Sequence, residues 1–179
     1  MYRVIERILA TASPVTRLAV FAMFIAVLSI GGCGSKQVLI AKPAAVPAGV
    51  DLSGQWLLRD TSGTTQPHAR ETLVHVFLET GRSVKITQTE SGLFVSFDRS
   101  VVEEYRFGEN RNISVGEIAA DRVSGWEGRS YVIETLDKND VKLTDRYQLE
   151  NGGRRLTRSM SIATQNKQFL SLQQVFDRI

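Results

Sequence analysis

The side chain best equipped for covalent chemistry in this 179-residue chain is Cys33, its only cysteine. A thiolate is a strong nucleophile, so a lone cysteine is either a site of modification or a liability. It follows Leu28-Ser29-Ile30-Gly31-Gly32. Gly31 and Gly32 carry no side chains, so an enzyme can approach the backbone closely there. A second cluster is His68, Glu71 and His75. On a helix Glu71 and His75 would share a face, with His68 one turn earlier, a spacing that suits metal ligands. Pro67 interrupts that segment, however, and His75 alternates with Val74 and Val76, so no metal is expected. Acid–base catalysis needs carboxylates held together in a cleft. Glu103 and Glu104 are adjacent and would point to opposite faces of a strand. Asp98, Asp121, Asp137, Asp140 and Asp145 fall at turns or on polar strand positions, where solvation is the expected role. Neither a Gly-x-Ser-x-Gly elbow nor a phosphate-binding loop occurs. The chain is therefore expected to be no enzyme, with no catalytic residue, no metal and no cofactor.

The segments that position Cys33 precede it. Met1 to Arg17 carries Arg3, Arg7 and Arg17 against Glu6, a charged leader that stays on the cytoplasmic side. Leu18 to Ile30 is apolar but only 13 residues long, short of the roughly 20 that a membrane span needs. The order of aliphatic run, two small residues and cysteine resembles the lipobox of bacterial lipoproteins. That resemblance implies residues 1–32 as a signal peptide, cleavage between Gly32 and Cys33, a diacylglycerol on the Cys33 sulfur and acylation, typically palmitate, of the new amino terminus. In that family an aspartate after the cysteine commonly marks retention in the inner membrane. Gly34 stands there instead, which implies the outer membrane, on its periplasmic face. The leader holds a net charge of +2 out of the chain's +3, so the basic character belongs largely to the leader. No nucleic-acid partner is expected, because that would need a clustered basic face.

Residues 33–50 read as a lipidated flexible tether, rich in alanine, with Pro43 and Pro47. A free chain from Gly34 to Val50 would span roughly 20–25 Å. Residues 51–179 then form one domain, long enough to bury a core without disulfides. Its period is two. Val84-Lys85-Ile86-Thr87-Gln88 and Val141 to Leu149 alternate apolar with polar residues, the mark of strands with one wet face. The pattern predicts strands at 54–59, 83–89, 92–98, 101–107, 113–123, 129–136, 140–149, 154–163 and 167–176. The run 72–78 suits a strand and a short helix equally. Turn signals separate the runs, among them Ser91-Gly92, Glu127-Gly128 and Asn151-Gly152-Gly153. Many short strands at this spacing predict an all-β antiparallel fold, an up-and-down barrel or alternatively a β-sandwich.

Leu52-Ser53-Gly54-Gln55-Trp56 at the first strand resembles the Gly-x-Trp signature of lipocalins and related small barrels. The resemblance implies that Gly54 bends the strand and Trp56 plugs the closed end, with a basic residue, Arg155 or Arg158, stacked on the plug. Gly125-Trp126-Glu127-Gly128 leading into Tyr131 and Ile133, then Tyr147 and Leu149, looks like lipocalin-like domains of bacterial envelope proteins. Trp56, Phe94, Phe97, Phe107, Trp126, Tyr131 and Tyr147 are the inward candidates, and Trp126, Tyr131, Ile133 and Tyr147 the candidate core or pocket lining. Two functions stay open. One is a membrane-anchored, non-enzymatic binding module for a small apolar or amphipathic ligand. The other is a structural or protein-interaction component of the cell envelope with no ligand cavity. A cavity of a few hundred Å³ favours the first. A packed interior with an exposed apolar patch favours the second.

Overall fold

The computed structural model describes residues 36–98 and 102–179. Ten antiparallel strands follow one another as a meander. They are β1 (Gly54–Thr65), β2 (Ser83–Gln88), β3 (Gly92–Phe97), β4 (Glu103–Arg106), β5 (Glu109–Val115), β6 (Ile118–Glu127), β7 (Ser130–Asp137), β8 (Lys142–Glu150), β9 (Arg155–Ala163) and β10 (Gln168–Arg178). β10 returns to pair with β1, Trp56 opposite Arg178 and Thr65 opposite Leu170. The sheet order is thus β4-β3-β2-β1-β10-β9-β8-β7-β6-β5, an up-and-down barrel closed everywhere except between β4 and β5.

That seam is held by side chains rather than by a ladder. Ser124 Oγ donates to Arg106 O at 2.9 Å, and Arg111 Nη2 donates to Glu104 O at 3.3 Å. Arg106 N donates to Glu109 Oε2 at 3.3 Å, and Arg122 Nη1 pairs with Glu103. An unpaired sheet edge is a template for aggregation, and these bonds cover it.

The two ends of the barrel differ. One is ringed by Gly54, the β2–β3, β4–β5, β6–β7 and β8–β9 turns and the carboxyl terminus. At the other, β1 runs into two short 3-10 helices, Pro67–Glu71 and Leu73–Phe77, beside the β5–β6, β7–β8 and β9–β10 turns. The run 72–78 is therefore helical and not a strand. Thr72 is extended between the two helices, and Val74 and Phe77 point inward at a spacing of three, which suits a 3-10 turn. The predicted strand 113–123 is two strands. Gly116, with φ +59°, turns the chain between Val115 and Ile118, and β5 begins earlier, at Glu109. Phe94 corrects a further expectation: it is exposed on the outer face, because Leu93, Val95 and Phe97 take the inward phase of β3.

Lys36 to Val50, expected as a flexible tether, is instead laid along the outside of the barrel as a strap. Gln37 N donates to Asp140 Oδ1 at 2.8 Å, and its side-chain amide donates to the carbonyls of Asp140 and Ala163. Lys42 Nζ sits between Glu127 at 2.7 Å and Glu134 at 2.9 Å. Trp126 N donates to Pro43 O at 2.9 Å, continuing β6 where β5 has ended. Arg129 reaches Ala48 O at 3.1 Å, and Gln88 Nε2 reaches Val50 O at 3.1 Å. The close approach needs glycine at 125: a Cβ there would lie 2.5 Å from Pro43 O and 2.7 Å from the Lys42 Cβ. The strap thus runs from the helical end to the closed end. It was illegible in composition because its partners lie about a hundred residues away.

Candidate functional site

Trp56 lies at the closed end with no exposed surface. Its Nε1 donates to Leu52 O at 3.2 Å, and the guanidinium carbon of Arg178 stands 4.2 Å over its ring. The cation over the tryptophan is therefore neither Arg155 nor Arg158. β10 lies directly beside β1, so its last arginine reaches the plug first. Gly54, with φ +154°, leaves room for that guanidinium, since a Cβ would sit 2.8 Å from Arg178 Nη1. Arg178 also donates to Ser53 O at 2.6 Å and to Gly153 O at 2.8 Å.

Above the plug the interior is aromatic. Trp126, Tyr131 and Phe107 form a triangle of tilted rings, with centroids 5.3–5.5 Å apart. Ile133, Tyr147, Leu156 and Phe176 join the same buried cluster. Trp126, Tyr131, Ile133 and Tyr147 are thus brought together as core. Cys33 and Gly32 lie outside the described residues.

Next comes a polar belt. Arg158, 1% exposed, holds Asp145 with both prongs, Nε to Oδ1 at 2.8 Å and Nη2 to Oδ2 at 2.7 Å. Burial works against the Arg158 charge, but the Asp145 carboxylate more than offsets it and raises the arginine's pKa. Tyr147 donates its hydroxyl to Asp145 Oδ2 at 2.9 Å. Arg158 also lies 4.4 Å over the Phe97 ring. Across the barrel, buried Arg122 pairs with Glu103, whose other oxygen accepts from the Tyr105 hydroxyl at 2.7 Å. Burial pushes the hydroxyls of Tyr105 and Tyr147 well above the usual phenol range, so both stay donors. Asp145 was expected on a wet face. The register places it inward with Leu143 and Tyr147. Each guanidinium already holds a carboxylate, so the belt is neutralised from within.

Beyond the belt lies a second, aliphatic cluster. Ala69, Val74 and Phe77 of the helical pair cover Ala120, Leu143, Met160, Ile162 and Leu170. Beside it, at the mouth, is an open groove of about 720 Å³. Leu73, Ile118, Ala119, Ala120 and Leu136 give it apolar walls. Lys36, Lys138, Glu117, Asp121 and Asp137 give it a polar rim. Asp137 Oδ1 accepts from the amides of Asn139 and Val141 and so shapes the β7–β8 turn. Its buried Oδ2 has no hydrogen-bond partner among the described residues.

The remaining candidates do not assemble. His68 Nδ1 contacts Glu71 at 2.9 Å on the exposed first helix, while His75 sits on the second. Glu103 turns inward to Arg122 and Glu104 outward to Arg106. The belt was missed in the sequence, yet it had a signal: Arg122, Asp145 and Arg158 occupy the apolar phase of their strands.

No family model matches the chain, and no curated protein matches it. Among solved structures the chain is similar to a secretory abundant heat soluble protein of Ramazzottius varieornatus, at 11% identity and a TM-score of 0.49, over 81% of this chain and 100% of that one. It is likewise similar to apo lipid binding protein 8 of Caenorhabditis elegans, at 10% identity and 0.49, over 71% and 94%. The zebrafish ileal bile acid-binding protein with cholic acid stands at 13% identity and 0.47, over 71% and 98%. The barrel assignment here rests on strand order and register.

Proposed function

We propose that this chain is a lipid-anchored envelope protein of the outer membrane. In this reading its barrel is a non-enzymatic binding module for a small amphipathic ligand, seated at the mouth. The observation that carries the ligand reading is the groove of about 720 Å³ beside the helical pair, within the range of small-molecule sites. Leu73, Ile118 and Leu136 suit an apolar body. The exposed rim side chains Lys36, Glu117, Asp121 and Lys138 suit a polar head on the ligand.

The anchor part rests on the placement of Cys33 behind Gly31 and Gly32. Cys33→Ser is expected to leave the precursor uncleaved and to lose the membrane-anchored form. The ligand part is checked by native mass spectrometry of protein purified from its membrane. A bound small molecule that disappears in Ala119→Trp, which fills the groove from an exposed position, supports the reading. An unliganded spectrum from membranes of every composition tried would contradict it.

The alternative reading is a filled barrel that serves the envelope as a structural or interaction component. The packed interior favours it: Trp56, Tyr131, Leu156, Ile162 and Phe176 have no exposed surface, so no water-sized space opens onto them.

A further inference from the structure

We propose that the protein stands on its membrane by the helical end of the barrel, with the closed end pointing away. This rests on the reading of Cys33 as the lipidated residue. A tether free up to Val50 would let the domain rotate and drift. The strap removes that freedom. Its first described contacts, Gln37 with Asp140 and Ala163, lie at the helical rim. Only two residues, Gly34 and Ser35, separate Cys33 from Lys36. A chain reaches at most about 3.6 Å per residue, so the four steps from Gln37 back to Cys33 reach at most about 14 Å from Cα to Cα. The closed end lies a full strand away: ten residues of β6 span about 33 Å along the strand, or roughly 23–27 Å along the axis of a barrel whose strands tilt by about 35–45°.

The side chains of that rim suit a bilayer surface. Val38 and Ile40 project from the strap's first residues with 71% and 72% of their surface exposed. Val76 on the second helix and Val115 at the β5–β6 turn are exposed as well. Lys36, Lys138 and Lys167 are exposed on the same rim, interspersed with the exposed acids Glu117 and Asp121, and the lysines match the level of lipid headgroups. The closed end carries Asp51, Arg129, Glu150, Asn151 and Arg154 around a polar groove, with Ile179 as an exposed apolar side chain at the carboxyl terminus. The short reach back to Cys33 and the apolar rim act together, since one limits the distance and the other sets the face. The mouth groove then opens at the membrane.

The test uses the full-length, lipidated protein in vesicles that contain quencher-bearing lipids. Lipidation consumes the Cys33 thiol, so an introduced cysteine can be labelled alone. A fluorophore on Val115→Cys or Lys138→Cys, both exposed, is expected to lose most of its emission. The same label on Glu90→Cys, at the exposed β2–β3 turn, is expected to keep it. Gly125→Ala, which displaces Pro43 and Lys42, is expected to shrink that difference. Equal quenching at both ends with Cys33 lipidated overturns the orientation and leaves the anchor reading intact. An unmodified Cys33 in the mass of the amino-terminal peptide overturns both.

Discussion

The two ends of this barrel are closed by different means. The Trp56 end is sealed by interlocked aromatic rings, by Arg178 over the plug, by Val50 of the strap and by Leu52 just after it. Its contacts join β1, β6, β7, β8 and β10, so none can be released without disturbing the sheet. The other end is covered by two 3-10 helices of five residues each. Such helices are short and have poor hydrogen-bond geometry, and they rest on Ala, Val, Met and Ile rather than on large rings. Between them the belt of Arg122, Asp145 and Arg158 isolates the two apolar clusters. One end is built as a wall and the other as a cover.

The largest expected effects come from the wall and the belt. Trp56→Ala removes the plug, and a core Trp→Ala change costs about 3–5 kcal/mol, so thermal denaturation should show a sharp fall in Tm. In Trp126→Phe, the remaining Trp56 should emit in the blue and resist iodide. A red, easily quenched emission would place it at the surface. Asp145→Ala leaves a buried guanidinium alone, which costs about 3–5 kcal/mol. Adding Arg158→Met should recover most of that loss in chemical denaturation, because apolar replacement of a buried pair is often neutral.

Smaller effects are expected at the cover. Phe77→Ala is expected to cost about 1–3 kcal/mol, with the loss shown chiefly as faster exchange of the helical amides.

The strap should give the smallest effect, and one that depends on pH. The hydrogen bond from Lys42 holds the Glu127 carboxyl below its usual range. A depressed carboxyl stabilises the docked state above its unfolded pKa, about 4.3, and loses that contribution as pH falls through the folded value. Burial lowers the Lys42 pKa, but the bonds to Glu127 and Glu134 outweigh it and the net shift is upward. Its contribution is complete below about pH 10.4 and is lost as pH rises beyond that. Limited proteolysis of residues 36–50 should therefore be slowest between about pH 5 and 10. Lys42→Met should flatten that dependence.

Much of the barrel was legible in the sequence because its period of two is local. Asn151-Gly152-Gly153 and Glu127-Gly128 mark real turns, and the runs at 83–89, 92–98 and 154–163 fall on strands. Phe94 has the bulk of a core residue, but the phase of β3 sets it outward. Gly116 was overlooked because Val115 and Ile118 both fit one apolar run. The belt was hidden for a related reason: charged residues were assigned to the wet face by type, although Arg158 shares its phase with Leu156, Met160 and Ile162. Arg178 and the strap were illegible for another cause. Their partners are fixed by closure of the barrel, which brings Arg178 to Ser53 and Gln37 to Ala163, and no local pattern encodes a pairing across more than a hundred residues.

Native-state hydrogen exchange tests the contrast between wall and cover most directly. The amides of His75 and Leu78, bonded within the helical pair, should exchange by local opening, well before any global unfolding. Those of β7 around Tyr131, paired on both sides with β6 and β8, should exchange only with global unfolding. Equal protection at both ends would mean that the helical pair is no cover, and that the barrel is closed alike at its two ends.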